Sequence, residues 1–128
     1  MSKTQIEIMN NSLLDGYAAY QAELGAAIKT QKSHRGSLEF FSDYLSRFEN
    51  RDLLTASHSD MAAFMCNWFP DTAMWPCKTE VYSYCAVFKK FYKWLSRAHD
   101  YPAESVNDIV ATIKEEKELW IDLVDDGM

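Results

Sequence analysis

The sequence has little of what interrupts helices or crosses membranes. Only four Gly and three Pro occur among its 128 residues, and they cluster between periodic segments, as in an all-helical domain with short connections. No apolar run approaches the roughly 18 residues that a membrane span needs, and the N-terminus has no signal-peptide core. We therefore expect a cytoplasmic protein of one domain, with no membrane partner.

Cysteine is also scarce, and its spacing does not favour a structural metal. The three cysteines, Cys66, Cys77 and Cys85, are odd in number and form no CxxC pair. Cys66 and Cys85 fall on apolar helical stripes. This pattern predicts free, buried thiols in a reducing compartment, and we expect neither a metal site nor a cofactor.

The net charge of −6 is confined to one end of the chain. Residues 1–101 contain eleven Lys and Arg and eleven Asp and Glu, which gives zero, whereas residues 102–128 contain two Lys and eight acids. The protein therefore has a neutral body followed by an acidic segment, which differs from a uniformly acidic protein.

Five segments with helical periodicity account for nearly the whole chain, and no alternating strand pattern competes with them. They extend over residues 11–24, 30–48, 59–68, 78–99 and 105–125, and residues 1–10 are expected to form an N-terminal arm or an extra helical turn. The apolar stripes of the first two contain Leu13, Tyr17, Tyr20 and Leu24, and His34, Leu38, Phe41, Leu45 and Phe48. The stripe of the last contains Val106, Ile109, Ile113, Trp120 and Val124.

Local signals place the ends of these helices. Gly25 is expected to stop the first helix, Thr30 to cap the second, Pro70 to end the third and Ser105 to begin the fifth. Gly36 lies inside the second helix at a cost of about 1 kcal/mol, which indicates a close approach by another helix or by the backbone of a ligand.

The fourth helix is the most informative segment. Its apolar stripe contains Val81, Cys85, Phe88, Tyr92 and Leu95, at spacings of three and four residues. It carries five basic residues (Lys78, Lys89, Lys90, Lys93 and Arg97) and one acid, Glu80. Such a helix can bury one side against the core and present a line of cations to phosphates or to an acidic partner. The alternative is that the basic side is only solvated and binds no ligand.

Two stretches together resemble a known family. The second helix reads TQKSHRGSLEFFSDYL over residues 30–45, the segment LLTASHSDMAAFM follows over residues 53–65, and the fourth helix ends in FYKWL before SRAHDYP. This order resembles the N-terminal core-binding domain of tyrosine recombinases and phage integrases, a SAM-like four-helix domain, over residues 13–102. The fold expected is therefore all-α: a SAM-like domain over residues 11–101, with an additional acidic C-terminal helix over residues 102–128.

The resemblance implies that the second and fourth helices lie against double-stranded DNA and that the domain forms half of a clamp. By position, the implied contacts from the second helix are Thr30, Lys32, Ser33 and Arg35. Those from the fourth helix are Tyr82, Ser83, Ala86, Lys89, Lys90 and Lys93, and the basic face adds Arg97.

The sequence also departs from the family pattern. His34 replaces the usual Tyr, and Glu80 takes the place of a capping Thr unless Thr79 serves. The catalytic domain, with its Arg, His and Tyr residues, is absent. We therefore expect no enzyme activity from this chain, which is either the front of a longer recombinase or a stand-alone relative with the same fold.

Two catalytic alternatives are weaker. His99 and Asp100 are adjacent, as in the helical HD phosphohydrolases, with His58 upstream and Asp108 or Asp122 downstream, but the pair ends a helix just before Pro102. Residues 57–60 (SHSD) contain the residue types of a catalytic triad, yet a triad is assembled in space, and a helix start explains them better. Neither alternative displaces DNA binding.

The aromatic residues are mostly on apolar stripes, which favours packing over base stacking. Tyr82 and Trp75 are the exceptions. The rival to DNA binding is a small all-helical interaction or dimerisation module, in which the apolar stripe of the fifth helix binds a protein partner or a second copy. The function that the sequence favours is a non-catalytic DNA-binding module of the integrase type.

Overall fold

The computed structural model describes residues 2–74 and 76–124. Within these residues the protein is all-α, as predicted, and contains no strand. Six α-helices follow one another: α1 (Lys3–Glu23), α2 (Ile28–Tyr44), α3 (His58–Ala63), α4 (Phe69–Thr72), α5 (Lys78–His99) and α6 (Ala103–Val124). A π-helical segment, Leu45–Glu49, extends α2, and another, Phe64–Trp68, joins α3 to α4. No helix among the described residues is long and apolar enough to cross a membrane.

The internal contacts divide the chain into two compact units, Met1–Ala56 and Ser57–Met128. The first unit contains α1 and α2, and the second contains α3 to α6. The boundary predicted after residue 101 falls inside the second unit, between α5 and α6, which pack against each other.

The first helix begins earlier than the sequence pattern indicated. α1 starts at Lys3, so most of the expected arm, residues 3–10, is helical. The Ser2 hydroxyl accepts a hydrogen bond from the Gln5 N–H at 3.2 Å, and the Gln5 side chain accepts one from the Ser2 N–H at 2.9 Å. This capping box satisfies two N–H groups at the N-terminus, which explains the early start.

Gly25 ends α1, as predicted. Its φ is +80°, and the N–H groups of Gly25 and Ala26 bond to the carbonyls of Ala22 and Gln21, at 3.0 Å each. This pattern is a Schellman motif, which favours glycine in the left-handed position. Leu24, assigned to the apolar stripe, is instead 68% exposed, because it lies at the cap where the chain turns away.

Polar contacts fix α1 against α2 in the first unit. The Gln21 amide nitrogen lies 2.9 Å from Nδ1 of His34, and Arg35 forms an ion pair with Asp15 at 2.9 Å. The buried Asn10 side chain accepts a hydrogen bond from the Leu53 N–H at 2.8 Å, which ties the chain after α2 back to α1.

Two expectations for the second helix are wrong. α2 begins at Ile28 after Ala27, so Thr30 lies within its first turn and does not cap it. Phe48 is 58% exposed, because the π-helical turn adds a residue and rotates Phe48 away from the stripe that ends at Leu45. A Cβ on Gly36 would meet no described atom within 4 Å, so another helix is not what approaches it, and the approach of a ligand backbone stays a prediction.

The second unit begins with a capped helix that continues past a proline. Ser57 and Asp60 form a capping box at the start of α3. Pro70 was expected to end this helix, but the helical path continues to Thr72. The N–H of Phe69 bonds to the carbonyl of Phe64 in the π-helical turn, and Pro70 then lies at the start of α4, where its missing N–H costs least.

α5 has the bounds and the buried side that the periodicity predicts. Val81, Cys85, Phe88, Tyr92 and Leu95 are all buried. Phe88 packs with Phe64 and Tyr84, with ring centroids 6.5 Å and 5.8 Å away. These aromatic contacts join α5 to the segment between α3 and α4.

α6 is part of the packed interior of the second unit. Ile109 and Trp120 are 0% exposed and Ile113 is 3% exposed, and the helix packs against both α5 and α3. It begins at Ala103, so Ser105 lies in its first turn instead of at the cap. The stripe proposed as a partner surface is thus buried by its own unit. The predicted end near residue 125 lies outside the described residues.

Phe88→Ala should lower the free energy of unfolding by about 3–5 kcal/mol, because the ring is fully buried among aromatic neighbours. Tyr82→Ala, on the same helix but 44% exposed, serves as the control and should cost less than about 1 kcal/mol. Denaturant melts give both values. Equal costs for the two variants would show that the assigned orientation of α5 is wrong.

Stability should fall in alkaline solution through Tyr101. Burial raises the pKa of Tyr101 to about 12, the Asp60 carboxylate adds to this rise, and a hydrogen bond with Ser105 opposes it. The phenol is neutral below its pKa, so its contribution is present below pH of about 10 and is lost as the pH rises to about 12. As the pH rises over this range, the free energy of unfolding should fall by roughly 2–3 kcal/mol more for the parent protein than for Tyr101→Phe. Identical curves would contradict this assignment.

Candidate nucleic-acid interface

The exposed side of α5 carries the residues predicted to contact DNA. The buried residues occupy one half of the helix, and the predicted contacts occupy the other: Tyr82, Ser83, Ala86, Lys89, Lys90, Lys93 and Arg97. All of them are exposed except Ser83 and Lys89, which are half-buried. From Lys78 to Arg97 this side is about 28 Å long, at about 1.5 Å per residue.

Tyr82 is held between two lysines on different helices. Nζ of Lys78 lies 5.8 Å from the centroid of the Tyr82 ring, and Nζ of Lys117 lies 5.7 Å from it. Both distances are within the range of cation–π attraction. Lys117 belongs to α6, the segment counted as acidic from its sequence, and it now extends the basic side of α5.

The thiol of Cys85 is also affected by lysines from both α5 and α6. Burial raises the pKa of its thiol, and the positive charges of Lys117 and Lys89 act in the opposite direction. Both ammonium groups therefore lie near the same buried sulfur. Cys85 is buried as predicted, whereas Cys66 is half-buried and Cys77 is exposed. Burial also raises the pKa of Cys66.

The flank of α6 next to α5 carries lysine residues. Lys117 contacts Tyr82, and Ala103 and Asn107 line a cleft together with Lys93 and Arg97 of α5. Positions 103, 107, 114 and 117 repeat every three, four or seven residues, so Lys114 shares this flank. α6 therefore places both of its lysines beside α5.

Four acids of α6 are rotated away from this flank, whereas Glu118 is one turn after Lys114 and lies beside it. Glu104, Asp108, Glu115 and Asp122 each follow directly after a residue of the flank or, for Asp122, after Ile121 one turn beyond it. Successive residues on an α-helix are about 100° apart, so the carboxylates of these four residues form a separate ridge. Glu116 lies on a third side, where its carboxylate is 3.9 Å from the Cys66 sulfur.

All seven Lys and Arg residues of the second unit therefore share one surface. We call this surface the cationic face: Lys78, Lys89, Lys90, Lys93, Arg97, Lys114 and Lys117. Within the described part of the chain, Lys89, Lys90 and Lys93 form no ion pair. Their charges are thus available to an external anion.

The predicted contacts of α2 lie in the first unit. Thr30, Lys32 and Ser33 are exposed, and no side chain of the described residues caps the N-terminus of the helix. Arg35 differs, because Asp15 at 2.9 Å and Glu39 at 3.5 Å already neutralise its guanidinium. Its evident role is to join α1 to α2.

The residues of the catalytic alternatives do not form a metal site in the described chain. His58 Nδ1 lies 3.1 Å from the Thr112 hydroxyl, and the ring of His99 packs against Trp94, with centroids 5.2 Å apart. The described residues contain no group of three His, Cys, Asp or Glu side chains that could hold a metal ion. Trp75 lies outside the described residues.

No family model, no curated protein and no solved structure matches the chain. The resemblance to the integrase core-binding domain therefore stays a prediction, based on the residues of the second and fourth predicted helices. The function is therefore inferred from the residues of the site itself.

Proposed function

We propose that this protein is a non-catalytic DNA-binding module and that it binds the phosphate backbone through the cationic face. The observation that carries the proposal is the segregation of charge in the second unit. Five basic side chains of α5 and two of α6 lie on one surface, while four acids of α6 lie on a separate ridge and Glu118 lies beside Lys114.

The spacing of the cations suits a charged backbone. Lys89, Lys93 and Arg97 follow one another at intervals of four residues, about 6 Å along the helix. A row of cations of this kind displaces counterions condensed on DNA, and this release supplies most of the affinity of non-specific binding. Tyr82 and Ser83 add hydroxyl groups that can donate to phosphate oxygens.

The acidic composition does not oppose this proposal. The second unit contains seven basic and twelve acidic residues, a net charge of −5, which at long range repels DNA. Charges separated by more than about 8 Å are largely screened at physiological salt. Once DNA is close, attraction to the cationic face therefore outweighs the repulsion caused by the net charge. The net charge only slows the approach of the protein to DNA.

The proposal includes the finer assignment to a SAM-like core-binding domain of the integrase type, with α2 as a second contact. The exposed Thr30, Lys32 and Ser33 on an uncapped helix N-terminus suit phosphate oxygens. Arg35 contributes less than the resemblance implies, because binding a phosphate would require it to leave Asp15 and Glu39.

The alternative, an interaction or dimerisation module, loses its main support. The apolar stripe of α6 expected to bind a partner is buried against α3 and α5. α6 leaves two leucines exposed, Leu119 (51%) and Leu123 (37%). Two residues are too few to make a stable interface by themselves. This comparison supports the proposal of DNA binding.

The test is the salt dependence of duplex DNA binding. Lys89→Gln, Lys93→Gln and Lys117→Gln should each weaken binding and lower the slope of log affinity against log salt by about one unit. Lys3→Gln, a change of equal charge at an exposed position of α1, is the matched control and should leave the slope unchanged. Lys32→Gln tests the contact of α2 in the same way.

Two results would contradict the proposal. One is the absence of duplex binding by the parent protein at low salt. The other is an equal slope for the parent protein and for the triple variant of Lys89, Lys93 and Lys117. Thermal melts of each variant would show that the fold is intact.

A further inference from the structure

A cleft of about 360 Å³ lies where the end of α5 meets the start of α6. It is lined by Lys93, Ser96 and Arg97 of α5 and by Ala103, Val106 and Asn107 of α6. Because residues 100–102 connect the two helices, the cleft lies in the bend of a helical hairpin. It belongs entirely to the second unit.

One side of this cleft is polar and cationic. Lys93 and Arg97 are one helical turn apart, both are exposed, and the Ser96 hydroxyl lies between them in sequence. Asn107 faces them from α6 with an amide that can donate and accept hydrogen bonds. A phosphate monoester carries a charge of about −1.5 to −2 and three acceptor oxygens, so it matches this set of groups.

The other side is apolar. Ala103 and Val106 present methyl groups, and Val106 is only 8% exposed. The volume lies within the roughly 300–1,000 Å³ of small-molecule sites. A volume of this size is comparable with that of one nucleotide, whose sugar and base can pack against these methyl groups.

The nearest carboxylates do not line the cleft. Glu104 follows Ala103 and is rotated from it by about 100°, and Asp100 lies in the connection, with a φ of 58°. α6 begins at Ala103, which lines the cleft, so the positive end of the helix dipole adds to the attraction that Lys93 and Arg97 exert on an anion.

We propose that this cleft binds a nucleotide through its terminal phosphate, with the sugar and base against Ala103 and Val106. A free mononucleotide and the phosphorylated end of a nucleic-acid strand share this chemistry. The inference rests on the proposed function only because Lys93 and Arg97 also belong to the cationic face. The variants that test it are on α6, outside that face.

The first experiment titrates the full chain with adenosine 5′-monophosphate and follows the backbone amides by NMR. The amides of Ser96, Arg97 and Asn107 should shift, and adenosine or inorganic phosphate at the same concentration should shift them several-fold less. Ala103→Phe fills the cleft and should abolish the response. Ala111→Phe, at another exposed alanine of α6, is the matched control and should preserve it.

The second experiment separates the two sources of the nucleotide. A short single strand with a 5′-phosphate should bind about tenfold more tightly than the same strand with a 5′-hydroxyl if strand ends are the ligand, because a doubly charged phosphate then meets both cations. Ala103→Phe should remove this preference. Equal affinity, together with the shifts caused by the mononucleotide, assigns the cleft to free nucleotides.

Two observations support the inference if Ala103→Phe abolishes them: the amide shifts caused by the mononucleotide and the tighter binding of the 5′-phosphorylated strand. The inference is overturned if neither is observed, or if both persist in Ala103→Phe. Duplex binding that is weakened by Lys89→Gln would then still support the proposed function. Conversely, a response to the mononucleotide without any duplex binding would support the cleft and contradict the cationic face as a DNA site.

Discussion

The apolar docking of α6 against α3 and α5 is the constraint on which the rest of the second unit depends. Ile109 and Trp120 are fully buried, and moving them into water would cost several kcal/mol. This packing fixes the rotation of α6 about its axis. A rotation by one residue, about 100°, would place Glu118 where Lys117 now lies beside Tyr82. Hydrophobic packing therefore decides which charges face the basic side of α5.

The arrangement explains how an acidic unit can present a cationic surface. The lysines of α6 complete the surface that α5 begins, and four of the six acids of this helix occupy a neighbouring ridge. In the sequence, the segment after residue 101 is acidic, with two Lys and eight acids. In the structure, the flank of α6 that carries its lysines lies next to the cations of α5, and Nζ of Lys117 is 5.7 Å from the Tyr82 ring centroid.

The features set by helical periodicity could be predicted from the sequence. The bounds of α5 and its buried stripe follow from apolar residues at spacings of three and four, and the same holds for Ile109 and Trp120 in α6. The residues of the capping box, Ser2 and Gln5, are present in the sequence too, but residues 1–10 were expected to form an arm or an extra helical turn. Phe48 and Pro70 were misplaced because π-helical turns change the period and have no clear sequence signal.

The candidate site could be predicted only within single helices. The cations of α5 were found, since they share one face of one helix. Lys117 and the cleft were missed because they depend on how α6 is rotated and packed. Arg35 appeared available in sequence, and only the structure shows its ion pairs with Asp15 and Glu39. Contacts between helices are what periodicity cannot supply.

The most direct test of how α6 docks on α5 is a nuclear Overhauser measurement between the ring protons of Tyr82 and the side chains of α6. The docked arrangement predicts cross-peaks from the Tyr82 ring to the methylene protons of Lys117. It also predicts none to those of Glu118, which points about 100° away. Cross-peaks to Glu118 in place of Lys117, or none to any residue of α6, would show that α6 is rotated or undocked, and the cationic face would not exist as described.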